Sequence, residues 1–311
     1  RCVYCSFPYG LYQDYDGKSQ FLTALGRDIE DMKTIVESYG LTVDTLYMGG
    51  GTPTVLGDED FHQVLKQLSI LVPEGHEFTV EAGRPDSVNS VKLRSMLELG
   101  VNRISINPQT MQDDILRRIG RGHSTRDIDE LLQYVKANTS LAVNMDFIAG
   151  LPHQTMQNMV ENMDYVCQNL PENVTIHTLA LKRGSPLYDL NMQDDIPAEH
   201  LVAEMVQYGK ERLEAAGYVP YYLYRQQYMR GQLENIGYTL PGKACEYNIQ
   251  IMEERQNILS MGPGSSSKWM RAPEYRQLKQ HMPKDVDVYH ATIDALLEKR
   301  HRICEKFWEV V

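Results

Sequence analysis

Along the first two hundred residues, two spacings of apolar positions take turns. Leu22, Leu25, Ile29, Met32 and Val36 recur every three or four residues and predict an amphipathic helix over Lys18–Tyr39, stopped by Gly40. Asp44–Met48 is a short β-type run that ends in three glycines. The same reading predicts helices near Asp58–Val72, Ser87–Leu99, Ser124–Lys136, Thr155–Asn169 and Ala198–Ala216. Strands are expected near His76–Ala82, Asn102–Ile106, Leu141–Ala149 and Val174–Leu181. Strands alternating with helices of this length indicate βαβ units, hence an α/β fold on a parallel sheet. After Gly217 the chain turns Tyr-rich, then Gly/Pro/Ser-rich, and closes on an amphipathic helix at Asp285–Trp308. Two domains are therefore expected, 1–217 and a smaller 218–311.

A length of 311 residues accommodates a barrel-type domain plus an appendage, and 42% hydrophobic with 23% charged residues is ordinary for a globular protein. The net charge of −11 argues against a broad nucleic-acid surface but leaves room for an anionic substrate held by a local Arg/Lys cluster. No apolar run approaches the roughly 20 residues of a bilayer span. The chain opens Arg1-Cys2-Val3-Tyr4-Cys5 with no signal peptide, so the natural N-terminus is expected upstream. Five cysteines at scattered spacings form no disulfide framework and suit a reducing cytosol.

The chemistry-bearing signals cluster at the C-terminal ends of the predicted strands, the edge where parallel α/β folds place their sites. Cys2-Val-Tyr-Cys5 lacks the second pair a zinc ribbon needs, and a Gly-containing aromatic loop (residues 6–10) follows it, which favours an iron–sulfur ligand pair over a redox pair. Gly49-Gly-Gly-Thr-Pro-Thr54 has more glycine than a tight turn needs and lacks the ending of a P-loop. Glu81, Gln109, Arg121 and Asp146 fall on successive βα connections. A structural ion pair explains any one of them, whereas four at one rim suit the polar groups of a ligand. No side chain is singled out as a general acid or base. His62, His76, His123, His153 and His177 lack metal-ligand spacing and read as structural or solvent-facing. Cys167, Cys245 and Cys304 stand alone, Cys167 on a predicted helix where it reads as core and Cys304 on the last predicted helix.

In order, Cys2-Val-Tyr-Cys-Ser-Phe7, Gly49–Thr54, Val80-Glu-Ala-Gly-Arg-Pro-Asp86, Arg103–Met111, Arg117–Ser124 and Asn144–Thr155 are similar to the radical S-adenosylmethionine (SAM) superfamily. Within it they resemble the oxygen-independent coproporphyrinogen III oxidase family, and Leu223-Tyr-Arg-Gln226, Leu233-Glu-Asn-Ile-Gly-Tyr238 and Glu246-Tyr-Asn-Ile-Gln250 resemble its HemZ-like subgroup. The resemblance covers nearly the whole chain. It implies a (β/α)6 barrel that is partial here, its first strand expected before Arg1, followed by a smaller C-terminal α+β domain. It also implies a [4Fe–4S] cluster and SAM as cofactors. Cys2 and Cys5 match the second and third cluster ligands, the first being expected four residues before Cys2. Tyr4 would pack near the adenine, and Gly50, Gly51 and Thr52 would contact the methionyl part of SAM. Glu81, Gln109, Arg121 and Asp146 match polar SAM-binding positions, and Ala180 an adenine-side contact. Gly262-Pro-Gly264 resembles a late glycine turn of the family, with Pro263 a departure.

By the same resemblance, an external one-electron donor drives reductive cleavage of SAM, and the resulting radical converts two propionates of coproporphyrinogen III to vinyl groups. Lys182-Arg183, and Arg225 with Arg230 among Tyr221, Tyr222, Tyr224 and Tyr228, are candidate contacts for such a tetrapyrrole, although the tyrosines also suit interface packing. A haem-binding chaperone of the same fold is the alternative. Its His-Asn-x-x-Tyr-Trp motif is reduced here to Asn248. Another radical SAM reaction on a tetrapyrrole also stays open. With two of three cluster cysteines and an open sheet edge, this stretch alone is expected to hold no stable cluster, to be inactive and to be prone to aggregation.

Overall fold

The computed structural model describes residues 2–6, 14–189, 195–225, 233–271 and 276–308. The loop after Cys5 beyond Ser6, together with Tyr228 and Arg230, lies outside the described residues. Five strands, β1 (Thr45–Met48), β2 (Glu77–Glu81), β3 (Arg103–Ser105), β4 (Ala142–Ala149) and β5 (Asn173–Thr178), lie side by side in chain order, all parallel. Helix α1 (Lys18–Ser38) precedes them, and α2 (Asp58–Ser69), α3 (Ser90–Glu98), α4 (Asp113–Arg118), α5 (Thr125–Asn138) and α6 (Met156–Asn169) form the connections. α7 (Pro186–Asp189) and α8 (Glu199–Ala215) follow β5. Reciprocal capping boxes, Ser124 with Asp127 and Thr155 with Asn158, start α5 and α6 where side-chain oxygens meet the free N–H groups.

Past Gly217, two antiparallel strands, β6 (Val219–Tyr224) and β7 (Asn235–Thr239), continue the same sheet in the order β1-β2-β3-β4-β5-β7-β6. The short helix α9 (Glu246–Glu253) bridges the two outer strands. Tyr247 stacks on Tyr47 of β1 with ring centroids 4.3 Å apart, and Asn248 donates to the Tyr221 hydroxyl of β6 at 2.9 Å. Glu77 holds the start of α9 by accepting from the backbone N–H groups of Glu246 and Tyr247, and it ion-pairs with the buried Arg103 at 3.4 Å.

The sheet has two chemically opposite faces, as the period-2 alternation of strands requires. Leu46, Phe78, Val80, Ile104, Val143, Met145, Phe147, Val174 and Ile176 point outward and are buried in the main core beneath the helices. The opposite parity carries Tyr47, Glu77, Thr79, Glu81, Arg103, Ser105, Asn144, Asp146, Asn173, Thr175 and His177. Only Ala142 and Ile148 break this polar inner row on β4. Much of it is cross-linked: Arg103 donates to Asn144 and Asn173, and the Tyr222 hydroxyl meets Thr175 at 2.9 Å. Gly237 makes that reach possible, since a Cβ there would lie 1.9 Å from the Tyr222 ring.

A hairpin of β8 (Ser266–Arg271) and β9 (Arg276–His281) and two helices, α10 (Val286–Ala291) and α11 (Ile293–Trp308), form the C-terminal part, with both helices packed on α1. A fully buried ion pair joins α11 to α1, with Arg300 2.6 Å from Asp28 and 2.9 Å from Asp31. Asp28 also accepts from the Tyr289 hydroxyl and from Gly262 N–H of the late glycine turn. Gly262 thus has a place in the scaffold, docked on α1.

The structure corrects several details of the sequence reading. α1 buries Ala24, Asp28, Ile29, Met32 and Ile35, so its buried stripe is displaced from the apolar spacing because it faces both the barrel and the C-terminal helices. The single helix expected at Asp285–Trp308 breaks at Thr292, whose hydroxyl bonds back to the Val288 carbonyl. β5 stops at Thr178 rather than Leu181. Cys167 is half-buried on α6 rather than a core residue, while Cys245 and Cys304 are buried.

Candidate functional site

The cysteine segment is a tight turn, closed by Cys5 N–H to the Cys2 carbonyl at 3.2 Å. It is clamped from both sides: Val3 N–H donates to the carbonyl of Ile119, just past α4, and the Val3 carbonyl accepts from Leu187 of α7. Both thiols are half-buried. Beside them Arg121 donates to the Tyr4 hydroxyl at 3.3 Å, and to the carbonyls of Gly83 at 2.8 Å and Asn107 at 2.6 Å. Burial opposes the charge of Arg121, but the facing Tyr4 and Cys2 more than offset it and leave its pKa above the ordinary value. Burial also pushes the Tyr4 phenol up, so it stays protonated.

The three glycines after β1 do different work. A Cβ on Gly49 would come within 2.3 Å of the Tyr47 ring and 2.7 Å of Glu81 Oε2, so only glycine fits. Gly50 has φ +99°, and its N–H donates to Glu81 at 3.1 Å. Cβ atoms on Gly50 or Gly51 would meet nothing within 4 Å, so the backbone lies open on that side. Thr52 then leads into a turn at Pro53–Val55.

Glu81 ends β2 at the lip of this cradle. Burial raises its pKa to about 7, the Gly50 N–H lowers it, and Asp146 raises it further. Gln109 holds φ +69°, fixed by its N–H on the Asp146 carbonyl at 2.9 Å and its own carbonyl on Ile148 N–H. Asp146 lies on the inner face of β4 with its carboxylate 3.7 Å from His177 Nε2, and His177 Nδ1 meets the Tyr224 hydroxyl at 3.1 Å. Ala180 follows β5 and is half-buried.

The expected site residues thus fall in two linked groups: Cys2, Tyr4 and Arg121 at the cysteine turn, and Gly50, Gly51, Glu81, Gln109 and Asp146 along the strand ends. Sequence reading passed over the inner-face residues Tyr47 and Asn107, and it read His177 as structural or solvent-facing. The signal was present as a polar alternation within the strands, masked because the outward positions are so uniformly apolar. His123, beside the rim, is buried, and its pKa falls to about 4 through burial and Arg121, so it is neutral at pH 7.

The donor set suits SAM and a cluster. The cysteine turn presents two thiols, the soft donors that iron–sulfur clusters take. The glycine backbone is open to close approach at Gly50 and Gly51, Glu81 and Asp146 accept from amine or hydroxyl donors, and the Arg121 Nε–H is buried without a hydrogen-bond partner among the described residues.

Residues 1–166 match the Radical SAM superfamily. Over 99% of its length the chain is 32% identical to the oxygen-independent coproporphyrinogen-III oxidase-like protein HemZ of Bacillus subtilis, and it spans 62% of that protein. It is also 28% identical, over 70% of its length, to the heme chaperone HemW of Bacillus subtilis, spanning 57% of that protein. The fold matches coproporphyrinogen III oxidase (HemN) from Escherichia coli with a TM-score of 0.74 at 19% identity, covering 94% of this chain and 66% of that one. With a curled parallel sheet, a cysteine turn at its rim, and the match across more than half its length, the chain belongs to the radical SAM superfamily, whose cofactors are a [4Fe–4S] cluster and SAM.

Proposed function

We propose that this chain is the catalytic part of a radical SAM enzyme that oxidatively decarboxylates propionates of coproporphyrinogen III. Each propionate loses a hydrogen atom, an electron and CO₂ and becomes a vinyl group. The observation that carries the reading is the polar inner face, which runs from the glycine cradle through Glu81 and Asp146 to His177 and the tyrosines of β6. The cluster and SAM, when bound, supply the one-electron chemistry for hydrogen abstraction.

The chain's own residues bind and orient. Cys2 and Cys5 hold the cluster. Tyr4 and Ala180 flank the adenine, while Gly50, Gly51 and Thr52 receive the methionyl part. Glu81, Gln109, Arg121 and Asp146 fix the remaining polar groups of SAM. On the substrate side, Tyr221, Tyr222 and Tyr224 supply flat apolar surface with hydroxyl tips. Lys182-Arg183 follow β5, and Arg225, paired with Glu234 at 3.0 Å, follows β6. These cations suit carboxylates. The electron donor is external, and no helix among the described residues is long and apolar enough to cross a membrane.

The likeness to a heme chaperone makes haem carriage the competing reading. Against it, the stretch where such a motif would fall is committed to packing, with Tyr247 on Tyr47 and Asn248 on Tyr221. The test is a binding competition on the anaerobically reconstituted full-length protein. The oxidase reading expects coproporphyrinogen III to bind in the micromolar range or better and haem to be displaced by it. Tight haem binding that coproporphyrinogen III fails to displace would favour the chaperone.

A further inference from the structure

We infer that Asn107 is a direct contact residue of the SAM site, hydrogen-bonding a polar group of the cofactor between Glu81 and Asp146. The inference rests on the placement of SAM at this rim and adds to it a residue that the family likeness does not supply.

The argument starts from register. Ser105 pairs with Glu81 on one side and Asn144 on the other, and the Ile106 N–H continues the ladder onto the Asn144 carbonyl. Beyond it the register slips by one residue, since Gln109 pairs with Phe147, and Asn107 with Pro108 stands opposite Asp146. Asn107 is one step above Glu81. Its neighbour on the β2 side at that level is Gly83, which has no side chain to meet it.

The residue is only 7% exposed, and its side-chain Oδ1 is buried with no hydrogen-bond partner among the described residues. The backbone around it is fully engaged, its carbonyl accepting from Arg121 at 2.6 Å and from the Gln109 amide at 3.4 Å. The contrast with its row is the point. Ser105, Asn144, Thr175 and His177 all have partners across the sheet. Thr79 is also unpaired, but it is fully buried two steps lower, at the level of Arg103.

A buried amide oxygen left without a partner costs stability, and such a group calls for an explanation. The neighbours say which chemistry. The unpaired atom is an acceptor, and Glu81 and Asp146 stand on the two neighbouring strands, so the group entering there is a donor, an amine or a ribose hydroxyl. An amide adds an acceptor without adding a third negative charge.

The test uses the full-length protein with its cluster rebuilt anaerobically, and variants Asn107→Leu and Asn107→Ala. SAM affinity is measured by equilibrium dialysis, and the urea midpoint of the ligand-free protein is measured alongside. The expected result is a loss of SAM affinity of about tenfold or more with the midpoint unchanged or raised in at least one variant, since the orphaned amide oxygen is gone. Affinity within twofold of wild type in a variant that keeps its midpoint overturns the inference. A midpoint that falls in both variants also overturns it, because Asn107 then belongs to the scaffold. Glu81→Gln and Asp146→Asn in the same assay separate the two levels. If they weaken SAM and Asn107→Leu does not, only this inference fails. If none of the four does, SAM does not sit at this rim.

Discussion

Glu81→Gln isolates what the buried carboxylate costs the protein before any ligand arrives. In the folded chain Glu81 titrates at about 7 against an ordinary 4.5, chiefly because burial disfavours its charge. A raised folded value means the carboxyl imposes no penalty below about 4.5, a growing one between 4.5 and 7, and a constant one above. At about 1.36 kcal/mol per pH unit, the full penalty is about 3 kcal/mol. Glutamine keeps an oxygen for the Gly50 N–H at 3.1 Å but carries no charge. Urea unfolding of the ligand-free protein at pH 5 and pH 8 reads the difference. The variant should exceed wild type by under about 1 kcal/mol at pH 5 and by about 3 kcal/mol at pH 8. A gap that does not change with pH, or a variant less stable at pH 8, would refute the reasoning. A carboxylate kept at such cost on an open rim is the mark of a site shaped for a ligand rather than for stability.

Other perturbations reach the scaffold and the cysteine turn. Arg300→Met leaves Asp28 buried without its partner and should cost about 3–5 kcal/mol in urea unfolding. Combined with Asp28→Asn the losses should fall well short of additive, and additive losses would mean the pair is not coupled. Gly237→Ala forces the Tyr222 ring aside and should cost about 1–3 kcal/mol, seen as a lower urea midpoint. Cys2→Ser and Cys5→Ser in the full-length protein should each abolish the brown absorbance and the iron content after anaerobic reconstitution. Retention of full iron in either would remove that cysteine from the ligand set.

Much of this architecture is written in short-range pattern. Helices α2, α3, α5, α6 and α8 and strands β1 to β5 announce themselves because each strand's outward face is continuously apolar and each of these helices carries a stripe to cover it. The site signals were readable for the same local reason: three glycines past β1 and polar residues at strand ends have no use in a core. What escaped depends on distance in sequence. Asp28 looks like an ordinary helix-surface acid until Arg300, far along the chain, arrives against it. β6 and β7 extend the sheet because Gly237 lets Tyr222 cross to Thr175, a pairing no local window contains. α9 is short and weakly amphipathic, and it is fixed by Glu77 and the Tyr47–Tyr247 stack. Asn107 was hidden in a motif read only for Gln109.

The most direct test of the proposed function is turnover. The full-length protein, reconstituted anaerobically and supplied with reductant, SAM and coproporphyrinogen III, should yield 5′-deoxyadenosine and protoporphyrinogen IX together. Deoxyadenosine in the absence of any vinyl product would keep the family assignment and contradict the substrate.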